Sequence, residues 1–428
     1  MPSSPTFSPK DSLISAISLF VFTFLDLLDL LLCYFYRFLD GILEDNPIPC
    51  YCHNRAKQEA SDGEDIVSET LCRRRNLFRE MGLPFLKAKL DGKQYEGEPC
   101  SPRWSDCSCN SCLSWQEKGD EKLHVVAMEP SQGKKGEHGM NSIENAFFIH
   151  GFLSSSSVWV ETVFPNLSDV TRQNMRMIAV DLLGFGRSPK PTNCKYRLKD
   201  HLEMIEKSAI VPFQLSSYHI VAHSMGCIIA LAMAAKYPEA VKSITLVAPP
   251  YFDSTEEEAS QTALNKLAER RVWPPLLFGS AVMSWYEHVG RTVCFMFCRN
   301  HLIWEWIMKL VTRRRDLSFL FIDLTKHTHY SAWHTMHNVI CGGAKSMDKY
   351  LEVVRKAKIP VKIIQGDKDQ VVPLECSFNL KAKLDPAELK IVNGRDHSSV
   401  IVGREEAFTR ELEDTWFSSK NCTKMSNG

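Results

Sequence analysis

The sequence has no surplus of either charge: 51 lysines and arginines balance 51 aspartates and glutamates over 428 residues. Without a basic excess there is no electrostatic footprint for nucleic acid, and none is expected as a partner. No internal repeat is visible, which removes solenoid architectures. A glycine-rich phosphate loop is also missing. The stretch 181–188, Asp-Leu-Leu-Gly-Phe-Gly-Arg-Ser, lacks the third glycine and the helix start that such a loop needs. No cofactor is therefore expected. The N-terminal apolar stretch, Leu13 to Leu39, is not an unbroken run either, because Asp26, Asp29 and Arg37 interrupt it.

Hydrophobic residues make up 44% and charged residues 24%, a globular balance with enough apolar mass for a large core. On a helical wheel Asp26, Asp29, Arg37 and Asp40 fall on one side of the N-terminal stretch, opposite a face of Leu, Ile, Val, Phe and Tyr. Three readings of residues 1–45 follow: a cleaved secretory signal, an uncleaved membrane anchor, or a helix packed on the protein. The width of the apolar face favours targeting or membrane contact over simple packing. The basic flank is thin, with Lys10 alone, and no clear cleavage site follows.

Residues 46–120 read as a polar linker carrying a cysteine-rich segment. Of 15 cysteines, Cys100, Cys107, Cys109 and Cys112 crowd together. The cluster is read as disulfide partners in preference to an incomplete zinc site, because no second cysteine pair follows at zinc-ribbon spacing. Reduced thiols are the third possibility.

Residues 121–428 alternate short apolar runs with helical stretches, the pattern of a mostly parallel sheet with crossover helices. Strands are expected at Leu123–Met128, Ala146–Ile149, Met175–Asp181, Tyr218–Ala222, Ser243–Val247, Val361–Gln365 and Leu389–Val392. Helices are expected at Leu198–Val211, Gly226–Lys236, Lys345–Lys356 and Arg404–Phe417. From about 250 to 343 the alternation stops. Helical periods and Trp273, Trp285, Trp304, Trp306 and Trp333 suggest an inserted helical cap over a site, its apolar surface suited to an acyl chain.

Ala222-His223-Ser224-Met225-Gly226 sits between a strand and a helix. Small residues on both sides of Ser224 permit the sharp turn that exposes a nucleophilic hydroxyl, although alanine stands where the strict pattern has glycine. Phe148-Ile149-His150-Gly151-Phe152 ends a buried strand. The main-chain N–H groups of Phe152 and Met225 are the expected oxyanion donors, with His150, Gly151 and His223 in support. Asp369, in Asp-Gln-Val-Val-Pro373, is the expected triad acid, and Asp367 is assigned to capping the loop. His397 is the expected base. The order Ser, Asp, His is that of α/β-hydrolases, and the long interval between the first two is taken up by the cap. A metal reading of His327, His329, His334 and His337 is set aside because no acidic ligands accompany them. No metal is expected.

The chain resembles the plant BODYGUARD-type α/β-hydrolases, a family of probable lysophospholipases. The resemblance is carried by the apolar N-terminus ending in Pro49-Cys50-Tyr51-Cys52, by Pro102-Arg103-Trp104-Ser105-Asp106-Cys107, and by Phe148 to Ser156. It continues through Ala179 to Gly184, Ala222 to Cys227, Ser284 to His288, His327-Thr328-His329, Trp333-His334-Thr335 and Asp396-His397. It implies a serine hydrolase of lysophospholipid or cutin-type acyl esters, acting in cuticle formation. It also implies passage through the secretory pathway to the cell wall or plasma membrane, contact with the membrane surface through the N-terminal segment, and a lipid attached at Cys50. In such a compartment the sequons at Asn166 and Asn421 would be usable. An acyltransferase with the same acyl-enzyme, or a catalytically silent ligand sensor on this fold, remain the alternatives.

Overall fold

The computed structural model describes residues 9–45, 47–48, 50–52, 67–72, 74–81, 103–117, 122–131 and 143–425, with the side chains of 9–12 and 419–425 excepted. Cys100 and the Asn421 side chain lie outside the described residues.

The chain begins with a long helix, α1 (Pro9–Leu43). A sheet follows, formed by β1 (Val125–Met128), β2 (Glu144–Ile149), β3 (Met175–Val180), β4 (Tyr218–His223), β5 (Val241–Val247), β6 (Val361–Gly366) and β7 (Glu388–Val392). Their order is β1-β3-β2-β4-β5-β6-β7. β1 pairs antiparallel with β3, and every other pairing is parallel. The expected α/β-hydrolase class and all seven strands are therefore present, with ends shifted by one or two residues.

The side-chain period of two explains the layering. Phe147 and Ile149 of β2 join one core with Ile220 and Ala222 of β4, while Ala146 and Phe148 join another with Phe408, Leu412 and Trp416. The first core is closed by α2 (Gly226–Lys236), whose residues from Gly226 to Ala234 are all buried. A helix apolar on all sides fits only such a sandwiched position. The expected helix at 198–211 is an α-helix over Leu198–Ile205 that widens into a π-type turn over Glu206–Ile210.

Between β5 and β6 the chain is helical, as expected. The insert includes α3 (Glu287–Phe297), α4 (His301–Thr312) and α5 (Phe319–Asp323), with further helices at Ala259–Leu267, Pro275–Trp285 and His329–Thr335. The last helix, α6 (Glu405–Met425), runs longer than the expected 404–417.

α1 docks on this cap with its polar stripe facing inward. Asp29 pairs with Arg79 at 2.7 Å, and Asp40 with Arg103 at 2.7 Å. Both Asp40 oxygens also meet the Arg291 guanidinium of α3, at 2.6 and 2.7 Å, and Trp104 donates its ring N–H to Oδ1. Burial would raise the Asp40 carboxyl, but the Arg291 hydrogen bonds and the Arg103 charge outweigh it and hold the group below its usual range. Leu13, Phe20, Phe24, Leu31, Phe35, Phe38 and Ile42 lie on the outer side, each more than half exposed. A surface helix ordinarily turns its apolar face inward. Here fixed guanidinium partners bring the carboxylates to the docked side, which also buries Phe22, Leu25, Leu30 and Tyr36.

Candidate active site

Ser224 sits where β4 turns into α2, with φ +52. Only glycine enters this left-handed region freely; another residue pays roughly 1–2 kcal/mol. The turn is compact because Gly226 lies against β2. A Cβ there would stand 2.6 Å from the His150 carbonyl oxygen and 2.8 Å from that of Ile149. Ala222, in the departing position of the motif, is fully buried in the core, and its methyl group is tolerated.

Gly151 closes on the same turn. A Cβ at Gly151 would approach His223 Nδ1 to 3.0 Å and Ser224 Cβ to 3.1 Å. The loop after β2 therefore lies directly against the serine, and Leu153 within it also has a left-handed backbone, φ +54. Among the described residues no acceptor takes the main-chain N–H of Phe152 or of Met225. The Met225 donor belongs to the N-terminus of α2, where the helix dipole favours negative charge.

His150 braces this loop. Its Nε2 accepts from the Leu182 main-chain N–H at 2.8 Å, so its proton is on Nδ1, which donates to the Gly151 carbonyl at 2.7 Å. Burial holds the ring below the usual imidazole range, which keeps it neutral for this double role.

Asp369 lies in the loop after β6, with its side chain wholly buried. One oxygen accepts from the amides of Val371 and Val372 at 2.8 and 2.9 Å. The other accepts from Gln365 Nε2 at 2.9 Å and from His397 Nδ1 at 2.7 Å. The bond to Asp369 fixes the proton on His397 Nδ1 and leaves Nε2 as the ring's acceptor. The His397 ring is 4.7 Å from the ring of His223, whose Nε2 donates to the His397 carbonyl at 3.0 Å. Burial, with His397 alongside, pushes His223 down to about 3, so it acts as a neutral donor. Among the described residues no hydrogen bond joins Ser224 to His397. Such bonds commonly tighten only when substrate is bound. Asp367 instead accepts from the Gly394 amide at 2.6 Å, the loop-capping role expected of it.

Sequence reasoning passed over several positioning residues. Asp181 receives the amides of Ser156 at 2.7 Å and Arg187 at 2.8 Å, tying the loop after β2 to the loop after β3. The 181–188 motif was the available signal; its Gly184 and Gly186 have φ +89 and +54. Gln365 holds Asp369, and Ser377 holds Gln365 at 2.8 Å. Asp323 of α5 accepts from Ser155 at 2.7 Å, a link from the cap that no local pattern announces.

Several expectations need correction. The cap tryptophans are dispersed and do not form one cluster. Trp285 packs under Arg270, Trp333 packs under Arg74, and Trp273 and Trp306 face outward. A cleft of about 970 Å³ includes Trp273; it lies between α1 and the 269–274 loop, and Ser224 is not among its lining residues. His329, His334 and His337 are buried in cap packing, and burial lowers all three. His327 has different neighbours, the sulfurs of Cys294 and Cys298, each 3.6 Å from its Nε2. The expected disulfides are absent among the described residues: Cys107, Cys109 and Cys112 are free thiols. They face His301, far along the chain, which no local spacing predicts. Cys50, the expected lipid-attachment site, turns its sulfur inward, 3.6 Å from Cys33 Sγ and 3.4 Å from His288 Nε2. An acyl chain there would displace those neighbours.

A family model described as the alpha/beta hydrolase fold matches residues 147–403. Probable lysophospholipase BODYGUARD 4 of Arabidopsis thaliana is 49% identical over 414 residues, covering 94% of this chain and 97% of the relative. Probable lysophospholipase BODYGUARD 5 of the same plant is 46% identical, covering 95% of each. Among solved structures, a carboxylesterase of the thaumarchaeon Nitrososphaera gargenis is 16% identical with a TM-score of 0.45, covering 72% of this chain and 98% of that one.

Proposed function

Since this chain belongs to the BODYGUARD group of the α/β-hydrolases, we propose that it is a serine hydrolase of lipid acyl esters working at a membrane surface. The observation that carries the reading is the His397–Asp369 hydrogen bond of 2.7 Å beside a serine at φ +52.

In this reading Ser224 Oγ attacks the ester carbonyl while His397 Nε2 takes its proton. The carbonyl oxygen, now negative, accepts from the N–H groups of Phe152 and Met225. One such donor contributes roughly 2.7–4 kcal/mol to the transition state. Collapse breaks the bond to the leaving alcohol, which receives the proton from His397. Water then repeats the sequence on the acyl-Ser224 ester, giving free acid and the original serine. Asp369 keeps the imidazole oriented and stabilises its cationic form.

The substrate class we propose is lysophospholipid or cutin-type hydroxyacyl ester, used in cuticle formation. The relatives' names support the first. The exposed apolar side of α1 supports delivery from a lipid surface, as does the outward apolar row Leu302, Ile303, Trp306 and Leu310 of α4. α1 lies on that surface rather than crossing it, because Asp29 and Asp40 are held by Arg79, Arg103 and Arg291. The site of action we propose is the outer face of the plasma membrane or the cell wall, to which the long apolar helix α1 lends support.

Labelling with a fluorophosphonate probe tests the nucleophile. Wild type should react and Ser224→Ala should not; labelling that survives the substitution removes Ser224 from its role. Free fatty acid as the product, in place of a new ester, separates hydrolysis from transfer to an alcohol.

A further inference from the structure

We propose that the chain binds two zinc ions, each held by three cysteines and one histidine, and that these ions fasten the N-terminal region to the cap. The first set is Cys33 of α1, Cys50, Cys52 and His288 of α3. The second is Cys107, Cys109, Cys112 and His301, which opens α4. Within each set all ligand atoms lie within 4.8 Å of one another.

The distances suit a metal better than a disulfide. With Zn–S near 2.3 Å and Zn–N near 2.0 Å, the donors of a tetrahedral site stand about 3.5–3.8 Å apart. Cys33 and Cys50 sulfurs are separated by 3.6 Å, and Cys50 Sγ is 3.4 Å from His288 Nε2. In the second set Cys109 and Cys112 sulfurs are 3.5 and 3.6 Å from His301 Nε2. A disulfide needs sulfurs about 2.05 Å apart, and it would leave one thiol of each three unused. Nor does a disulfide account for an imidazole edge directed into each group of sulfurs.

The surroundings agree. Metal-bound histidines usually donate their second ring N–H to a carboxylate, which fixes the ring. His301 Nδ1 does this to Glu305 at 2.8 Å, while His288 Nδ1 lies between Asp29 at 3.5 Å and Cys52 Sγ at 3.7 Å. Arg74 approaches the Cys52 sulfur to 3.9 Å, a place for a cation if that sulfur is thiolate. Three sulfurs with one nitrogen select zinc among common divalent ions, and a set with no open ligand position is structural rather than catalytic. The chain separations are large: 238 residues from Cys50 to His288 and 192 from Cys109 to His301. Closing such loops restrains the unfolded chain strongly. A third set, Cys294, Cys298 and His327, has one donor fewer and stands outside the proposal.

Metal analysis of the full-length protein, purified without chelators, should find two zinc ions per chain, or three if the third set also fills. X-ray absorption at the zinc edge should show a shell of three sulfurs and one nitrogen. Cys52→Ser and Cys109→Ser should each lose one equivalent. The absorption measurement needs no variant, so a poorly folding substitution leaves the proposal testable. Protein that labels at its active site yet carries no zinc would overturn it. So would non-reducing peptide mapping that finds disulfides among these six cysteines, or an acyl thioester at Cys50.

Discussion

Two aspartates two positions apart in one loop have opposite surroundings. Asp369 is enclosed and receives four hydrogen bonds, His397 among the donors. Asp367 caps an exposed amide. Asp369→Asn should lower kcat by about 10³–10⁴-fold, because the amide no longer enforces the tautomer that leaves Nε2 free. Asp367→Asn should stay within a few-fold of wild type; steady-state kinetics on a chromogenic ester compares the two. Asp323 carries a pH signature instead. Burial raises it from the usual 3.8 to about 6, despite the hydrogen bond from Ser155. A carboxyl raised in the folded state contributes stability fully below pH 4, and the contribution is lost as pH climbs toward 6. Asp323→Asn keeps an acceptor for Ser155 and removes the charge. It should raise the melting temperature at pH 7–8, by a free energy on the order of 1–3 kcal/mol, and change little at pH 4. The turn at Ser224 and the pairing of Asp369 with His397 were legible in sequence because each residue sits in a short pattern of its own. Asp323 was not, since its importance depends on Ser155, 168 residues away.

At the scale of elements, the strands and α2 were readable because their apolar periods are nearly pure. The turn between β4 and α2 tolerates no added volume at Gly226. Gly226→Ala would drive a methyl into the backbone carbonyls of Ile149 and His150 at the end of β2, which cannot move away as a side chain tip can. A loss of about 1–3 kcal/mol in chemical denaturation is expected, with fluorophosphonate labelling reduced in parallel. The side on which α1 docks was not readable. Its wheel showed one polar and one apolar face, but the choice between them rests on Arg79, Arg103 and Arg291, scattered through other segments. Breaking a buried ion pair by removing one member costs roughly 3–5 kcal/mol, because the other charge stays buried. Asp40→Ala should therefore loosen α1, and limited proteolysis should cut within residues 9–45 faster than in wild type.

For the molecule as a whole, the outer side of α1 and the outward row on α4 present a large apolar area to the surroundings. Replacing Phe20, Phe24, Leu31 and Phe35 with serine should abolish co-sedimentation with phospholipid vesicles and leave hydrolysis of a water-soluble ester unchanged. Retained vesicle binding would show that lipid contact is made elsewhere. The overall arrangement of a parallel sheet with a helical insert was legible from the alternation of strand and helix periods. The joining of N-terminal region to cap was not, because its cysteine and histidine partners come from segments that sequence spacing cannot bring together.

The inward carboxylates of α1 bear on how the protein is produced. A signal peptidase, or a truncated expression plasmid that omits the first forty-odd codons, would deprive Arg291 of its forked partner and leave that cation stranded between Tyr36-sized emptiness and Trp104. Secretion by the usual cut-and-release route would then yield a cap with unbalanced positive charge at its centre. Retention of α1 in the mature protein is therefore the expected outcome, and sequencing of its N-terminus checks it.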